Sequence, residues 1–334
     1  MTPVRGTEIS GKTSNSLAVS MFPFANICRG AMVLAIVTTA AMSQTQTPPK
    51  ETSPKEEDAV TFRTDTRLVD LHATVVDKDG HLLLNLPQSA FTVYENGVKQ
   101  QIKVFRREDV PVSMGLVIDN SASMIPKRAT VAAAALGLVA ASNPEDEVFI
   151  MNFNDETSLD REFTNDIKLL EEALKSIKSR GGTAMRDALN MGIEHLRHGG
   201  KKDKQVVLVV TDGQDNASVE MLQHVVQAAQ QSGVIIYAVG LLSEDDPRET
   251  ERAKRDLDTL TFATGGQVWY PSELSQMDRI AKEIAHEVRN QYTLAYSPAN
   301  QAQDGTFRKI KVVIGNPAGA IVRTRSGYYA NLEK

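Results

Sequence analysis

Two aspartates, two serines and a threonine stand at three places along the chain in a pattern that suits a hard cation. They lie in Asp119-Asn120-Ser121-Ala122-Ser123, in Gly181-Gly182-Thr183 and in Thr211-Asp212-Gly213. Drawn together, Asp119, Ser121, Ser123, Thr183 and Asp212 offer only oxygen. Such a set favours Mg²⁺, with Mn²⁺ or Ca²⁺ as alternatives, and disfavours zinc, which prefers His and Cys. If Ser121, Ser123 and Thr183 coordinate directly as neutral ligands while Asp119 and Asp212 act through water, the cation stays electron-poor at its free position. It then attracts a carboxylate from outside.

The surrounding residues say what must position this set. Near-continuous apolar runs at 115–118, 148–153, 206–210, 234–239 and 268–270 alternate with helical segments near 126–142, 166–178, 184–197, 218–231, 249–263 and 273–290. Strands apolar on both faces belong to a parallel sheet covered by helices. Pro126 suits a first helical turn, and Gly181, Gly233 and Gly265 stand where helices stop. The stretch 158–163 follows a strand too closely for a crossover helix, so it pairs antiparallel at an edge. The expected fold over 111–290 is therefore α/β, a three-layer, doubly wound, mostly parallel sheet with one antiparallel edge strand. All three motifs fall at strand ends or helix starts on the carboxyl edge of that sheet, where open α/β folds place ligands.

On both sides the pattern is β. Runs at 68–76, 91–94 and 101–106 are separated by Asp79-Gly80 and by Asn96-Gly97, the second a strong hairpin signal. Further runs at 292–296, 307–314 and 321–325 follow the α/β region. Neither set alone has enough strands for a stable core. The expectation is one small β-sandwich-like unit, made from an N-terminal β unit at 60–110 and C-terminal segments at 291–334, with the α/β domain inserted between them.

The first 43 residues read as a secretory signal peptide. Arg29 precedes an apolar run at 31–41 that ends in Ala41-Met42-Ser43, with the initiator at Met1 or Met21. A run of eleven residues is too short to cross roughly 30 Å of hydrocarbon, so no stable membrane span is expected. The single cysteine, Cys28, lies inside this leader, and Gln44 after the cut rules against a lipid anchor. Cleavage removes three cations and one anion, which takes the net charge from −5 to −7. Residues 44–59, almost without apolar side chains, form a disordered linker. An acidic chain with few aromatics gives no electrostatic reason to expect nucleic acid.

Asp-x-Ser-x-Ser, a later Gly-Gly-Thr and a still later Thr-Asp-Gly make residues 111–290 resemble the von Willebrand factor type A domain family. The resemblance implies that Asp119, Ser121, Ser123, Thr183 and Asp212 form a metal-ion-dependent adhesion site. In it the hydroxyls hold a divalent ion, the acids act partly through water, and a partner's acidic side chain completes the coordination. The flanks, with Tyr292-Thr293-Leu294-Ala295-Tyr296-Ser297-Pro298, also resemble exported bacterial proteins of this kind. The function so implied is metal-dependent binding or adhesion by a protein in the periplasm or outside the cell, rather than enzymatic catalysis. The alternatives are a metal-dependent hydrolase and, if the leader is false, an intracellular assembly subunit. Four further features read as structural. His195 and His198 sit at a helix end, Glu244-Asp245-Asp246 in a solvated loop, Asp215 as an exposed loop carboxylate, and Trp269 in the core.

Overall fold

The computed structural model describes residues 67–107, 109–176, 179–243 and 245–330; the expected leader and linker lie outside the described residues. Four strands come first, β1 (Val69–Val76), β2 (Phe91–Glu95), β3 (Val98–Gln100) and β4 (Ile102–Arg106). The hairpin between β2 and β3 turns on Asn96 (φ 47°) and Gly97 (φ 83°), the left-handed pair that a tight two-residue turn requires. The run read as one strand at 101–106 is cut short at Gln101. There the chain leaves one sheet, with β3, and enters another, with β4.

The α/β region follows in the order β5 (Val112–Asp119), α1 (Arg128–Ala141), β6 (Glu147–Phe153), β7 (Thr157–Thr164), α2 (Ile167–Ser176), α3 (Met185–Gly199) and β8 (Lys204–Thr211). It continues with α4 (Leu222–Ser232), β9 (Ile235–Gly240), α5 (Pro247–Thr264), β10 (Val268–Trp269) and α6 (Met277–Arg289). The six strands lie in the order β10-β9-β8-β5-β6-β7. Five run parallel, and β7 is antiparallel at the edge. Every residue of β5 and β9 is buried, as two covered faces demand, while no residue of β7 is fully buried. Alternate residues of β5 feed opposite cores. Met114, Leu116 and Ile118 meet α1, α2 and α6, whereas Val117 joins the core under α3, α4 and α5. Gly115 has no side chain because Phe149 fills that space, and a Cβ there would stand 2.4 Å from its ring.

Three helices, α1, α4 and α6, begin two or more residues later than their sequence suggests. A short 3₁₀ turn, Ala122–Met124, comes before Pro126, and the chain becomes α-helical only at Arg128. Residues 218–221 stay out of α4 because the Asp187 carboxylate accepts from the Val219 and Glu220 amides at 3.1 and 2.8 Å. A long ordered loop thus follows β8.

After α6 come β11 (Tyr292–Tyr296), β12 (Phe307–Ile314), β13 (Ile321–Arg323) and β14 (Gly327–Tyr329), the last without a clear sequence signal. They interleave with the first four strands in two four-stranded sheets, β13-β1-β11-β4 and β14-β12-β2-β3. The two sheets share one apolar core, in which Tyr292 packs on Phe91 at 4.8 Å and its hydroxyl donates to the Leu83 carbonyl at 2.7 Å. Strand β4 leads into the α/β region and β11 leads out of it, and they are paired neighbours, with Thr293 opposite Arg106.

A buried polar seam ties α6 to β1, β9 and β13. Arg323 donates to Glu287 at 2.7 Å, and Gln291 donates to Thr74 and to the Tyr237 hydroxyl, both at 3.0 Å. Lys204, 4% exposed at the start of β8, donates its ammonium to the Val288 carbonyl at the end of α6. Burial pulls the Lys204 pKa down to about 7, and the charges of Asp146, Glu287 and Asp109 oppose that shift only in part.

Between this value and the ordinary 10.5 the folded chain binds fewer protons than the unfolded one, so Lys204 makes stability rise with pH across that window. Its penalty is fully present below the window. Subtracting the Lys204→Met profile from the wild-type profile, both from urea denaturation, should leave a positive slope above pH 7. A flat difference would contradict the assignment.

Candidate metal centre

The position of Asp119 follows from sheet register. It closes β5, and in the neighbouring strand β8 the pairing of Ile118 with Val210 sets Asp119 beside Thr211 and next to Asp212. Parallel neighbours lie about 4.8 Å apart, so two acidic strand ends are forced into one small volume. Asp119 is 2% and Asp212 7% exposed. Asp119 is satisfied by neutral donors: the Thr211 hydroxyl gives to Oδ2 at 2.6 Å and the Ser121 amide to Oδ1 at 2.8 Å. Burial raises the Asp119 pKa and those hydrogen bonds oppose the rise, while the nearby charge of Asp212 adds to it.

The hydroxyls complete the group. Ser121 Oγ lies 3.0 Å from Ser123 Oγ, and Ser123 donates to Asp212 Oδ1 at 2.8 Å. Thr183 arrives on a separate loop that is moored by main-chain contacts. The Arg180 amide donates to the Asn120 carbonyl at 2.9 Å, the Ala122 amide to the Gly181 carbonyl at 3.3 Å, and the Ala184 amide to the Asn154 carbonyl at 2.7 Å. Asp155 grips the same loop by accepting from the Gly182 amide at 2.7 Å. Gly181 has φ +71°, and a Cβ there would stand 2.0 Å from Asp155 Oδ2, so both backbone and space demand glycine. Thr183 is buried, its amide donates to Asn216 Oδ1 at 2.9 Å, and its Oγ1 stands 4.0 Å from where a Cβ on Gly213 would lie. Asp119, Ser121, Ser123 and Asp212 thus meet at one end of the central strands, and Thr183 stands on the loop beside them, close to Gly213.

Three participants escaped the sequence reading. Lys127, at the start of α1, places its ammonium 2.5 Å from Asp212 Oδ2. Asp155 and Asn216 hold Thr183 from either side, each on a turn with no motif of its own. Asp215 is a correction, since it is not an exposed loop carboxylate but 6% exposed and fully engaged. It accepts from the Arg186 amide at 2.8 Å, the Arg186 guanidinium at 2.9 Å and the Ser218 hydroxyl at 2.6 Å. Burial pulls its pKa upward, but these donors hold it below the ordinary value. The physical reason is that a carboxylate four residues past β8 faces the first turn of α3, whose free amides need an acceptor.

The remaining candidates are structural. His195 stacks on Phe163 with ring centroids 5.0 Å apart, and His198 Nδ1 lies 2.8 Å from the Glu194 carbonyl. Asp246 caps α5, accepting from the Arg248 and Glu249 amides. Trp269 is half-buried against Tyr237. A second group, Asp77, Asp79 and His81, brings three potential ligand atoms within 4.8 Å on the turn after β1. Asp77 there accepts from the Asp79 and His81 amides, the ordinary work of a turn aspartate.

The donor set at the sheet edge fits a hard divalent cation. It is all oxygen, and it holds two buried carboxylates against one ammonium. The polar clefts of about 290 and 580 Å³ elsewhere on the molecule are lined by other residues.

Comparison with known proteins agrees with the motif. Residues 114–214 match the family described as von Willebrand factor type A domain. An uncharacterized protein of Synechocystis sp., sll0103, is 27% identical over 109 residues, which are 32% of this chain and 26% of that protein. The chain thus spans about a quarter of the length of the curated relative it matches. Among solved structures, a von Willebrand factor type A protein from Catenulispora acidiphila has a TM-score of 0.46 at 12% identity, covering 78% of this chain and 73% of that one. The von Willebrand factor domain of the type V pili tip protein Mfa5 from Porphyromonas gingivalis has a TM-score of 0.44 at 14% identity, covering 55% and 97%.

Asp215 should matter to stability beyond its charge. Asp215→Ala strands Arg186 and uncaps α3, so urea denaturation should show a loss of about 2–3 kcal/mol. A loss below about 0.5 kcal/mol, the level of an ordinary surface change, would mean that Asp215 is the exposed carboxylate its sequence suggested.

Proposed function

We propose that this chain, whose residues 114–214 match the von Willebrand factor type A family, is an exported binding protein and not an enzyme. In this reading it takes a carboxylate of a protein partner on a divalent cation, Mg²⁺ first among the candidates. The observation that carries the reading is the meeting of two buried carboxylates with the Ser121 and Ser123 hydroxyls on the carboxyl edge of the sheet, with buried Thr183 on the adjoining loop beside Gly213. Ser121, Ser123 and Thr183 would supply neutral oxygens, while Asp119 and Asp212 balance the charge. A bound divalent cation would supply one electron-poor position open to an outside oxygen.

The surroundings support a macromolecular partner. Ile125, two residues beyond Ser123, is 63% exposed, and Val219, in the loop after Asp212, is 92% exposed. Apolar side chains held in water on the loops that carry the polar centre suit a protein surface that covers both. Export rests on the leader-like residues 1–43. Among the described residues no helix is long and apolar enough to cross a membrane.

Calorimetric titration with Mg²⁺ and Mn²⁺ tests the reading. The full chain should take up one ion, and Asp212→Asn or Thr183→Ala should weaken uptake at least about tenfold, because each removes one member of a small set of oxygen ligands. Equal uptake by wild type and both variants would overturn the site, and with it the function.

A further inference from the structure

One contact at the centre is not explained by holding a cation, because it brings a positive charge of the protein's own. Lys127 is fixed at the head of α1, where its amide donates to the Met124 carbonyl at 3.0 Å and its carbonyl accepts from Val131 at 3.0 Å. Its side chain runs back to the sheet edge. There Nζ lies 2.5 Å from Asp212 Oδ2 and 3.3 Å from the Leu241 carbonyl. The Lys127 side chain is 22% exposed and that of Asp212 1%, so the pair is partly withdrawn from water. Asp212 therefore has both oxygens engaged, Oδ1 by Ser123 and Oδ2 by Lys127. Asp119, by contrast, is served by the neutral Thr211 and Ser121 donors. Two nearby guanidiniums are occupied elsewhere: Arg128 donates to the carbonyls of Leu174 and Lys175, and Arg186 to Asp215.

The charges give this asymmetry a consequence. Without a divalent ion the two carboxylates and one ammonium leave the centre with a single negative charge. With the ion bound, it carries a single positive charge. Were Lys127 absent, the loaded centre would be neutral and would have little electrostatic claim on an outside acid. Like charges at this range repel appreciably even at the effective dielectric of a protein edge. Lys127 must then weaken uptake of a divalent ion while strengthening the loaded centre's hold on an anion.

Resting on the metal reading above, we infer that Lys127 is the built-in counter-ion of the centre. It stabilises Asp212 while no divalent ion is present, tunes ion affinity downward, and leaves the loaded centre one positive charge to match one carboxylate of the partner. It acts through Asp212 and the local charge, so it is a positioning and charge-setting residue rather than a ligand.

The test uses the full chain with Lys127→Met, which keeps the aliphatic stem and removes the charge, and with Lys127→Arg, which keeps the charge. Mn²⁺ affinity is read by calorimetry, thermal midpoints are read in EDTA and in Mg²⁺, and acetate is the carboxylate probe. Its binding to the Mn²⁺-loaded protein is followed by paramagnetic relaxation of its methyl protons. Lys127→Met should bind Mn²⁺ about tenfold more tightly or better. It should melt lower than wild type in EDTA, gain more from Mg²⁺, and hold acetate less well once loaded. A variant that folds only with Mg²⁺ present is the extreme of the same result. Lys127→Arg should stay close to wild type in all three readouts. If Lys127→Met binds Mn²⁺ as wild type does, or more weakly, Lys127 is a structural ion pair and the inference is wrong while the metal centre stands. If wild type itself takes up no ion, the metal reading fails first.

Discussion

The structure turns on a conflict of charge. Register between two adjacent central strands, β5 and β8, brings Asp119 and Asp212 to the same end of the sheet, where both are almost wholly out of water. Carboxylates so placed are costly unless something positive or strongly donating answers them. The chain answers them unequally. Asp119 receives two neutral donors and keeps a pKa pushed up by burial, while Asp212 receives a hydroxyl and an ammonium. Much of the surrounding architecture serves to maintain this arrangement. The Gly-Gly-Thr loop is pinned by main-chain bonds and by Asp155, and the loop after β8 is pinned by Asp187 and by Asp215 through Arg186.

The rest of the fold makes such a centre tolerable. The parallel sheet is rigid because both faces are covered, so its strand ends hold their spacing. The β-sandwich encloses the two ends of the inserted region between paired strands, and the seam of Thr74, Glu287, Gln291, Tyr237 and Arg323 joins it to α6. That seam and the edge bearing Asp119 lie at different ends of the strands. Lys204 opens β8 at the seam, and Thr211 closes it at the candidate metal centre.

Much of this was legible in the residues. Unbroken apolar runs gave the parallel strands, the short link before 158–163 gave the antiparallel edge, and Asn96-Gly97 gave a hairpin with the backbone it requires. Strand ends placed Asp119, Ser121, Ser123 and Asp212 on one edge because a parallel sheet aligns its carboxyl ends, and Thr183 comes to it on the loop before α3. What stayed hidden was set by three-dimensional neighbours. Nothing near Asp215 in sequence announces the first turn of α3, which supplies its donors across 29 positions. Nothing near Lys127 in sequence marks it, since its partner lies 85 positions away. The late start of α4 depended on the Asp187 carboxylate, more than thirty residues earlier, taking the amides that a helix would have used.

Among the described residues two groups could gather a cation: the oxygen set at the sheet edge, and Asp77, Asp79 and His81 on the turn after β1. An anomalous difference map from crystals soaked in Mn²⁺ separates them directly. The account predicts one strong peak among Asp119, Ser121, Ser123, Thr183 and Asp212, with serine and threonine oxygens in its coordination sphere. A peak confined to the turn at Asp77, or none at the sheet edge at saturating Mn²⁺, would contradict it.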